Sequence, residues 1–307
     1  MRLVFLGTPR FAVPTLERMV EAGHQVLAVA TQPDRPSGRG QHAAAPPVKQ
    51  CAERLGLPVY QPERVRRPEA VEYLRALAPD AMVVVGYGQI IPQSVIDIPP
   101  LGIINVHGSV LPKYRGAGPV QWAILNGETV TGVTTMRIDA GLDTGDMLLK
   151  AETAIGAEET AVELAGRLAE MGAELLVRTL EGLVAGAIVP EKQDPAQATY
   201  ARLLKKEDGA IDWGRPAAAI HNQVRGLQPW PGAYSVFRGQ TLHIWRARAV
   251  EARAGAPPGR LVSVKPPVAA CGEGALELVE VQLEGRKRMS AADFANGQRL
   301  AENEGIG

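Results

Sequence analysis

Short apolar runs alternate with helical segments at the start of the chain, and this alternation limits the fold more than any other feature. The apolar run Arg2–Leu6 ends at Gly7, residues 11–22 carry apolar side chains at helical spacing, and a second apolar run covers Gln25–Ala30. A strand, a helix and a strand within the first 30 residues indicate a βαβ unit. Such a unit requires parallel strands in one sheet.

The same alternation continues through the first half of the chain. Further helices are predicted over 48–55, 68–78 and 158–184, and further strands over 59–60, 80–85, 103–107 and 131–138. The strand at 80–85 is almost wholly apolar, as in strands buried on both faces, whereas the strand at 131–138 is predicted to be antiparallel or at an edge. We therefore predict an α/β fold with a Rossmann-like, doubly wound, mostly parallel sheet.

The character of the sequence changes near residue 191. Residues 191–207 are polar and carry Pro195, which is typical of a linker. Short β-like runs follow, separated by turns rich in Gly and Pro, at 234–237, 241–247, 260–264 and 276–282. Because 307 residues exceed what one core usually organises, we predict two domains, over 1–190 and 208–307. The second is expected to be a small barrel or sandwich.

Several function classes lack their sequence signals. Gly7 stands without the other glycines of a dinucleotide-binding GxGxxG turn, and the chain contains no GxxxxGK[ST] phosphate loop. Cys51 and Cys271 are the two cysteines, too few for a disulfide framework and without zinc-site spacing. No apolar stretch reaches the length of a membrane span, so we expect a cytoplasmic protein.

Two polar residues stand out in the predicted strand at 103–107. Asn105 and His107 are two positions apart, so the pleat places both side chains on one face. They precede a loop rich in Gly and Pro, at the carboxyl end of the strand, where open α/β sheets bind ligands. A pair of satisfied core polar groups is the alternative interpretation.

The segment Ile138–Leu148 contains three carboxylates, Asp139, Asp143 and Asp146, with two glycines. Such clusters are common in surface turns, and this spacing does not match a calcium-binding EF-hand loop. The segment is therefore open to a turn, a catalytic carboxylate or a metal ligand, and we expect no metal.

In combination, these two segments resemble the folate-dependent formyltransferases. The resemblance is carried by NVHGSVLPKYRGAGPVQ (105–121) and GLDTGDML (141–148). It extends over nearly the whole chain through TQPDRPSGRG (31–40), VVVGYGQIIP (83–92), KKEDGAIDW (205–213) and LQPWPGAY (227–234). The resemblance implies an OB-like β-barrel as the C-terminal domain. It also implies catalytic roles for Asn105, His107 and Asp143.

The resemblance implies the substrates as well. The donor would be 10-formyltetrahydrofolate and the acceptor the α-amino group of methionyl initiator tRNA, giving N-formylmethionyl-tRNA for translation initiation. Folate would lie along Ser109, Val110, Leu111 and Pro112, with Tyr87 and Ile91 at the wall of its pterin pocket, although core packing also explains Tyr87. We expect a monomer without a membrane partner.

Positive charge is concentrated where an RNA acceptor would bind. The segment Arg225–Lys265 contains seven Arg and Lys residues and one Glu, in a chain whose formal net charge is zero. Arg246 and Arg248 are the predicted phosphate contacts there, joined by Lys205 and Lys206 of the linker. Arg39, in the loop at 32–45, is predicted to reach the aminoacyl end of the tRNA. A soluble arginine-rich surface is the alternative interpretation.

Three rival functions stay open at this stage. A formyltransferase acting on a sugar-nucleotide amine would share both catalytic segments and a second domain, but would lack the basic loop and the arginine-rich barrel. A glycinamide ribonucleotide formyltransferase is disfavoured because its core needs no second domain. A non-catalytic RNA-binding protein is disfavoured because Asn105, His107 and Asp143 are all present.

Overall fold

The computed structural model describes residues 1–37, 42–251 and 256–307. The chain forms two units, each described by itself below. The first comprises Met1–Pro119, Thr131–Thr153 and Ala165–Ala201, and the second comprises Val120–Val130, Ala154–Leu164 and Arg202–Gly307. The domain limits at residues 190 and 207 stay predictions, because the second unit also takes in two short stretches from earlier in the chain.

A mostly parallel sheet forms the centre of the first unit. The described strands up to residue 201 are β1 (Arg2–Gly7), β2 (Gln25–Ala30), β3 (Arg35–Ser37), β4 (His42–Ala44), β5 (Val59–Tyr60), β6 (Ala81–Val85), β7 (Ile103–His107), β8 (Arg115–Gly116), β9 (Val130–Arg137), β10 (Met147–Ala154) and β11 (Tyr200–Ala201). Seven of them form one sheet in the order β10-β9-β7-β6-β1-β2-β5, while β3 pairs with β4 and β8 with β11.

Helices cover both faces of this sheet. The α-helices of the same part of the chain are α1 (Val13–Glu21), α2 (Pro47–Arg54), α3 (Pro68–Ala76), α4 (Gln93–Ile96), α5 (Pro119–Leu125) and α6 (Ala161–Val184). Leu3 and Phe5 of β1 are buried in one apolar cluster with residues of α1, α2 and α6, and Leu6 is buried in another with residues of α3 and α4. Because successive strand residues point to opposite faces, this alternation produces the predicted doubly wound fold.

Strand β9 corrects one of the two predicted placements for residues 131–138. It pairs antiparallel with β7, with Asn105 opposite Met136 and His107 opposite Thr134, so the antiparallel prediction is confirmed. The edge position is wrong, because β10 lies outside β9. β10 is absent from the sequence prediction because only its first two residues are fully buried, and exposed residues alternate along the rest.

The second unit is an antiparallel β-structure with a helix at each end of its chain segment. It contains α7 (Ala217–Gly226), β12 (Ala233–Phe237), β13 (Gln240–Val250), β14 (Leu261–Val264), β15 (Pro267–Ala270), β16 (Ala275–Leu283), β17 (Met289–Ser290) and α8 (Ala291–Gln298). The strand order is β12-β13-β16-β15-β14, and β17 pairs with β16. The predicted β-rich second domain is confirmed, whereas α7 and α8 were not predicted.

The core of the second unit is separate from those of the first. Phe237 and Phe294 pack edge to face, with ring centroids 5.2 Å apart, and Trp213 donates from Nε1 to the backbone oxygen of Ile306. Trp213 and Ile306 both belong to this core. Among the described residues, no helix has both the length and the apolar character that a membrane span would need.

Candidate active site

Strand β7 brings Asn105 and His107 to the carboxyl end of the parallel sheet. Both side chains lie on one face, as the pleat predicts, and they are 8% and 5% exposed. Neighbouring positions of β7 are apolar and buried, so the strand itself is held by packing. Within the described residues, the Asn105 amide makes no hydrogen bond to protein, and both of its N–H groups are free for a ligand.

Asp143 approaches His107 from the loop between β9 and β10. Its Oδ2 lies 3.7 Å from His107 Nδ1 and accepts a 2.8 Å hydrogen bond from the backbone N–H of Gly116. The other ring nitrogen, Nε2, lies 2.9 Å from the backbone oxygen of Tyr114. Asp143 holds a left-handed backbone conformation, with φ of 52°, which turns its side chain back toward β7.

The surroundings of His107 therefore present an oxygen to each ring nitrogen. A neutral imidazole can donate from one nitrogen only, whereas an imidazolium can donate from both. The 3.7 Å separation from Asp143 is too long for a good hydrogen bond, although it is a close approach for opposite charges. The Tyr114 oxygen is thus on the Nε2 side of the ring and the Asp143 carboxylate on the Nδ1 side.

Asp139 has a different role in this loop from Asp143. Asp139 shapes the turn, because its Oδ1 accepts from the Gly141 N–H at 3.0 Å and from Thr144 Oγ1 at 2.7 Å. Gly145 is required by space, since a Cβ there would lie 1.9 Å from the backbone oxygen of Arg137. Among the described residues, no three His, Cys, Asp or Glu side chains are arranged to hold a metal ion.

The loop after β7, predicted to contact folate, is anchored by Thr134. Its hydroxyl donates to the Ser109 backbone oxygen at 2.8 Å and accepts from the Leu111 N–H at 3.1 Å. Ser109 and Leu111 are buried, and the Ser109 hydroxyl is engaged with the backbone oxygen of Lys113. Val110 and Pro112 remain partly exposed, so they and the loop backbone are the surfaces that a ligand can contact.

Tyr87 and Ile91 lie inside the first unit rather than at an open surface. They are 1% and 9% exposed and belong to the apolar cluster beside α3 and α4. Burial, followed by the nearby Tyr60, raises the pKa of Tyr87 to about 12, and its buried hydroxyl has no hydrogen-bond partner among the described residues. Packing accounts for both residues, and their place at a pterin pocket stays a prediction.

Comparison with known proteins identifies the family. The Formyl transferase model matches residues 1–180, and the model of the formyl transferase C-terminal domain matches residues 203–299. The methionyl-tRNA formyltransferase of Solibacter usitatus is 72% identical over 307 residues, covering 100% of this chain and 99% of that protein. The chain belongs to the methionyl-tRNA formyltransferase family.

Other similar proteins agree with this membership in the methionyl-tRNA formyltransferase family. The methionyl-tRNA formyltransferase of Koribacter versatilis is 58% identical over 308 residues, covering 100% of this chain and 99% of that protein. An N-formyltransferase from Helicobacter canadensis, solved with folinic acid and dTDP-3-aminofucose, has a TM-score of 0.66 at 18% identity. The match covers 94% of this chain and 99% of that one, and it shows a shared fold.

The basic residues predicted to bind RNA have different surroundings in this methionyl-tRNA formyltransferase family member. Arg246 and Arg248 are exposed on β13, and Arg248 Nη1 lies 3.7 Å from Glu277 Oε1. Lys205 and Lys206 are exposed at a 3₁₀ turn. Arg39 and Arg253 lie outside the described residues.

Arg225 differs from the other basic residues of its segment. It is 7% exposed and donates from Nη1 to the backbone oxygens of Gly156 at 3.1 Å and Glu159 at 3.0 Å. The sequence analysis counted Arg225 among the basic residues predicted to face an RNA. That prediction is wrong for Arg225, because its guanidinium is a buried hydrogen-bond donor. Periodicity could not show this, because the two oxygens come from a distant part of the chain.

Gln193 and Arg115 are residues of this site that the sequence interpretation missed. Gln193 donates from Nε2 to the backbone oxygens of Asp143 and Gly145, both at 2.8 Å, and accepts from Arg115 Nε at 2.9 Å. Both side chains are buried, at 8% and 4% exposure. Gln193 lies in a polar stretch predicted as a linker, and one buried position among exposed neighbours leaves no recognisable sequence signal.

Proposed function

We propose that this protein transfers the formyl group of 10-formyltetrahydrofolate to the α-amino group of methionyl initiator tRNA. The observation that carries the proposal is a free Asn105 amide beside a His107 ring that faces Asp143 at 3.7 Å. The full-length similarity to methionyl-tRNA formyltransferases supports this acceptor over a sugar-nucleotide amine.

Formyl transfer to an amine needs stabilisation of an oxyanion. The neutral amine attacks the formyl carbon, and negative charge develops on the formyl oxygen as the new C–N bond forms. Asn105 offers N–H donors to that oxygen without first breaking a bond to protein. One such donor contributes about 2.7–4 kcal/mol to a transition state of this kind.

His107 is the second group proposed to stabilise the oxyanion. Its ring lies between the Tyr114 backbone oxygen and the Asp143 carboxylate, which orients it, so a proton-donating His107 stabilises the negative charge on the formyl oxygen. The attacking amine must lose a proton as the C–N bond to the folate nitrogen breaks. Asp143 is the carboxylate able to receive that proton, directly or through water, and the leaving nitrogen finally takes one up.

The donor is proposed to lie along the loop after β7. Val110 and Pro112 provide partly exposed apolar surface beside the catalytic strand end, which suits a flat heterocycle. The folinic acid in the Helicobacter canadensis enzyme supports a folate in this fold. Within the described part of the chain no residue cluster calls for a metal, and the folate acts as a second substrate.

The acceptor is proposed to contact the basic residues of the second unit. Arg246, Arg248, Lys205 and Lys206 would neutralise phosphates, and Arg39 would guide the aminoacyl end toward Asn105 and His107. We further propose that the protein acts in the cytoplasm and as a monomer.

The test offers the purified protein alternative acceptors. With 10-formyltetrahydrofolate, it is expected to formylate methionyl initiator tRNA and to leave a dTDP-amino-sugar unmodified. The unacylated tRNA is the matched control, because it lacks the amine. Formylation of the sugar nucleotide alone would overturn the acceptor while keeping the formyl-transfer centre, and transfer to neither would overturn the proposal.

A further inference from the structure

A cavity of about 460 Å³ lies on the second unit, over β12, β13 and β16. Tyr234, His243 and Gln282 line it from adjacent register positions, since Tyr234 is opposite His243 and His243 is opposite Gln282. Trp245, two residues beyond His243, extends the same wall. Three strands therefore contribute one continuous surface, in a size range typical of small-ligand sites.

The wall of this cavity is aromatic. The rings of His243 and Trp245 are stacked, with centroids 5.5 Å and planes 18° apart, and Tyr234 meets His243 edge to face at 5.8 Å. Trp245 Nε1 donates to Gln282 Oε1 at 3.0 Å, and the Arg288 guanidinium carbon lies 3.6 Å from the centre of the Trp245 ring. Trp245 is 9% exposed, because its ring stacks on His243 and carries the Arg288 guanidinium, so the partly exposed His243 and Tyr234 rings are the ones open to a ligand. Exposed flat rings of this kind are surfaces on which unpaired bases stack.

The His243 ring is fixed against the turn before β12. A Cβ on Gly232, whose φ is 75°, would lie 3.3 Å from His243 Nδ1 and 3.2 Å from the Trp245 ring, so a glycine allows this close approach. Nδ1 is buried without a hydrogen-bond partner among the described residues. Burial, with the charges of Arg288 and Lys206, lowers the pKa of His243 against the opposing effect of Glu284, and the ring is therefore neutral at neutral pH.

Positive charge lies at the cavity and in the turn that follows β16. Lys206 is among its lining residues, and Arg286, Lys287 and Arg288 follow β16 in an exposed turn. Glu284 is the carboxylate among the lining residues. An aromatic wall beside an excess of cations matches the two parts of a nucleotide, a planar base and an anionic phosphate.

We propose that this cavity binds one unpaired nucleotide of an RNA chain, with the base against His243 and Tyr234 and the phosphate neutralised by Lys206 and residues 286–288. The inference rests on the proposed function in taking the RNA to be the acceptor. Because any base can stack on an aromatic ring, the site would strengthen RNA binding and orient the RNA without recognising a particular base.

The test separates stacking from charge in the full-length protein. Affinities for unacylated initiator tRNA, a single-stranded RNA hexamer and free AMP are measured at several salt concentrations. His243→Ala is expected to weaken tRNA and hexamer binding about tenfold with an unchanged salt dependence, and His243→Phe to restore most of it. Lys206→Ala should reduce the slope of log affinity against log salt by about 1.

Two control variants sharpen the measurement. His221→Ala removes a histidine that faces Glu158 at 3.4 Å elsewhere in the second unit, and it should bind both RNAs like the wild type. Tryptophan fluorescence quenched by the hexamer should be lost in Trp245→Phe and kept in Trp122→Phe. Trp122 stacks with Arg202 and does not line the cavity.

The outcomes distinguish this inference from the proposed function. If the protein formylates methionyl-tRNA and His243→Ala binds tRNA and hexamer normally, the nucleotide site is wrong and the function stands. If His243→Ala weakens hexamer binding while no tRNA is formylated, the site stands and the acceptor is wrong. AMP binding as tightly as the hexamer would overturn an RNA site in favour of a free-nucleotide site.

Discussion

The carboxyl end of β7 and the surface of β13 place polar residues in opposite ways. At the first, Asn105 and His107 are nearly buried. His107 Nε2 faces a backbone oxygen, and the Asn105 amide makes no hydrogen bond within the described residues. At the second, Arg246 and Arg248 are exposed, and Arg248 already has a carboxylate 3.7 Å away. Low dielectric strengthens interactions at the buried site, while solvent and salt screen those at the surface.

The difference predicts how much single residues matter in each region. A buried group that is aligned with the reacting atoms affects the barrier steeply, because no water can replace it. An exposed cation is one of several that neutralise an RNA backbone, so each contributes a modest and salt-dependent part. Substitutions at the end of β7 should therefore change the rate of transfer far more than substitutions on β13 change RNA binding.

The largest effect is expected at the strand end. Asn105→Ala or His107→Ala should lower the single-turnover rate by about 10²–10³, because each removes stabilisation of the oxyanion. The melting temperature of Asn105→Ala should change little, since its amide makes no hydrogen bond within the described residues. Asn105→Leu, which keeps most of the volume, should be as slow; a rate near wild type would remove Asn105 from the mechanism.

Gln193 tests whether the buried site depends on a residue that does not touch substrate. Gln193→Ala removes both hydrogen bonds that hold the backbone of Asp143 and Gly145, so kcat should fall by about 10–100-fold with KM nearly unchanged. Loss of buried hydrogen bonds should also lower the free energy of unfolding by about 1–3 kcal/mol.

The control for Gln193 lies four residues further along the chain. Gln197 is exposed and binds Asp194, so Gln197→Ala should leave both kcat and stability unchanged. A fall in stability without any fall in kcat for Gln193→Ala would mean that Asp143 keeps its position without this contact.

A smaller effect is expected at β13, where the ion pair of Arg248 can be removed by substituting either Arg248 or Glu277. Arg246→Ala and Arg248→Ala should each reduce the salt dependence of tRNA binding by at most about 1 unit of slope, because Glu280 is opposite Arg246 and Glu277 is opposite Arg248 on β16. Glu277→Gln should strengthen tRNA binding by releasing Arg248. Equal slopes for the wild type and all three variants would place the phosphates elsewhere.

The smallest effect is expected from divalent ions at the Asp139–Asp146 loop. Asp139 and Asp143 already accept hydrogen bonds from protein, so Mg²⁺, Ca²⁺ or Zn²⁺ should leave the melting temperature of the free protein unchanged. Asp139→Asn is the matched variant. An ion-dependent rise in the wild type that this variant lacks would assign the loop to a metal.

Local periodicity made much of the first unit predictable. Buried parallel strands must be apolar, so the runs that form β1, β2, β6 and β7 are visible directly in the sequence. The spacing of Asn105 and His107 is likewise enough to place both side chains on one face of a pleated strand. β10 was missed because a half-exposed strand lacks that signal, and α7 and α8 were also missed.

The partners of these residues were decided by the tertiary structure. Nothing in the order of residues shows that Asp143 faces His107, that Gln193 holds the Asp143 loop, or that Arg225 is buried. The row of Tyr234, His243 and Gln282 likewise exists only once three strands are in register. The buried parallel strands, and the polar side chains that they carry at their carboxyl ends, could be read from the sequence, because both follow from the pattern of neighbouring residues. Contacts between residues that are far apart in the sequence depend on how the whole chain packs, so only the tertiary structure shows them.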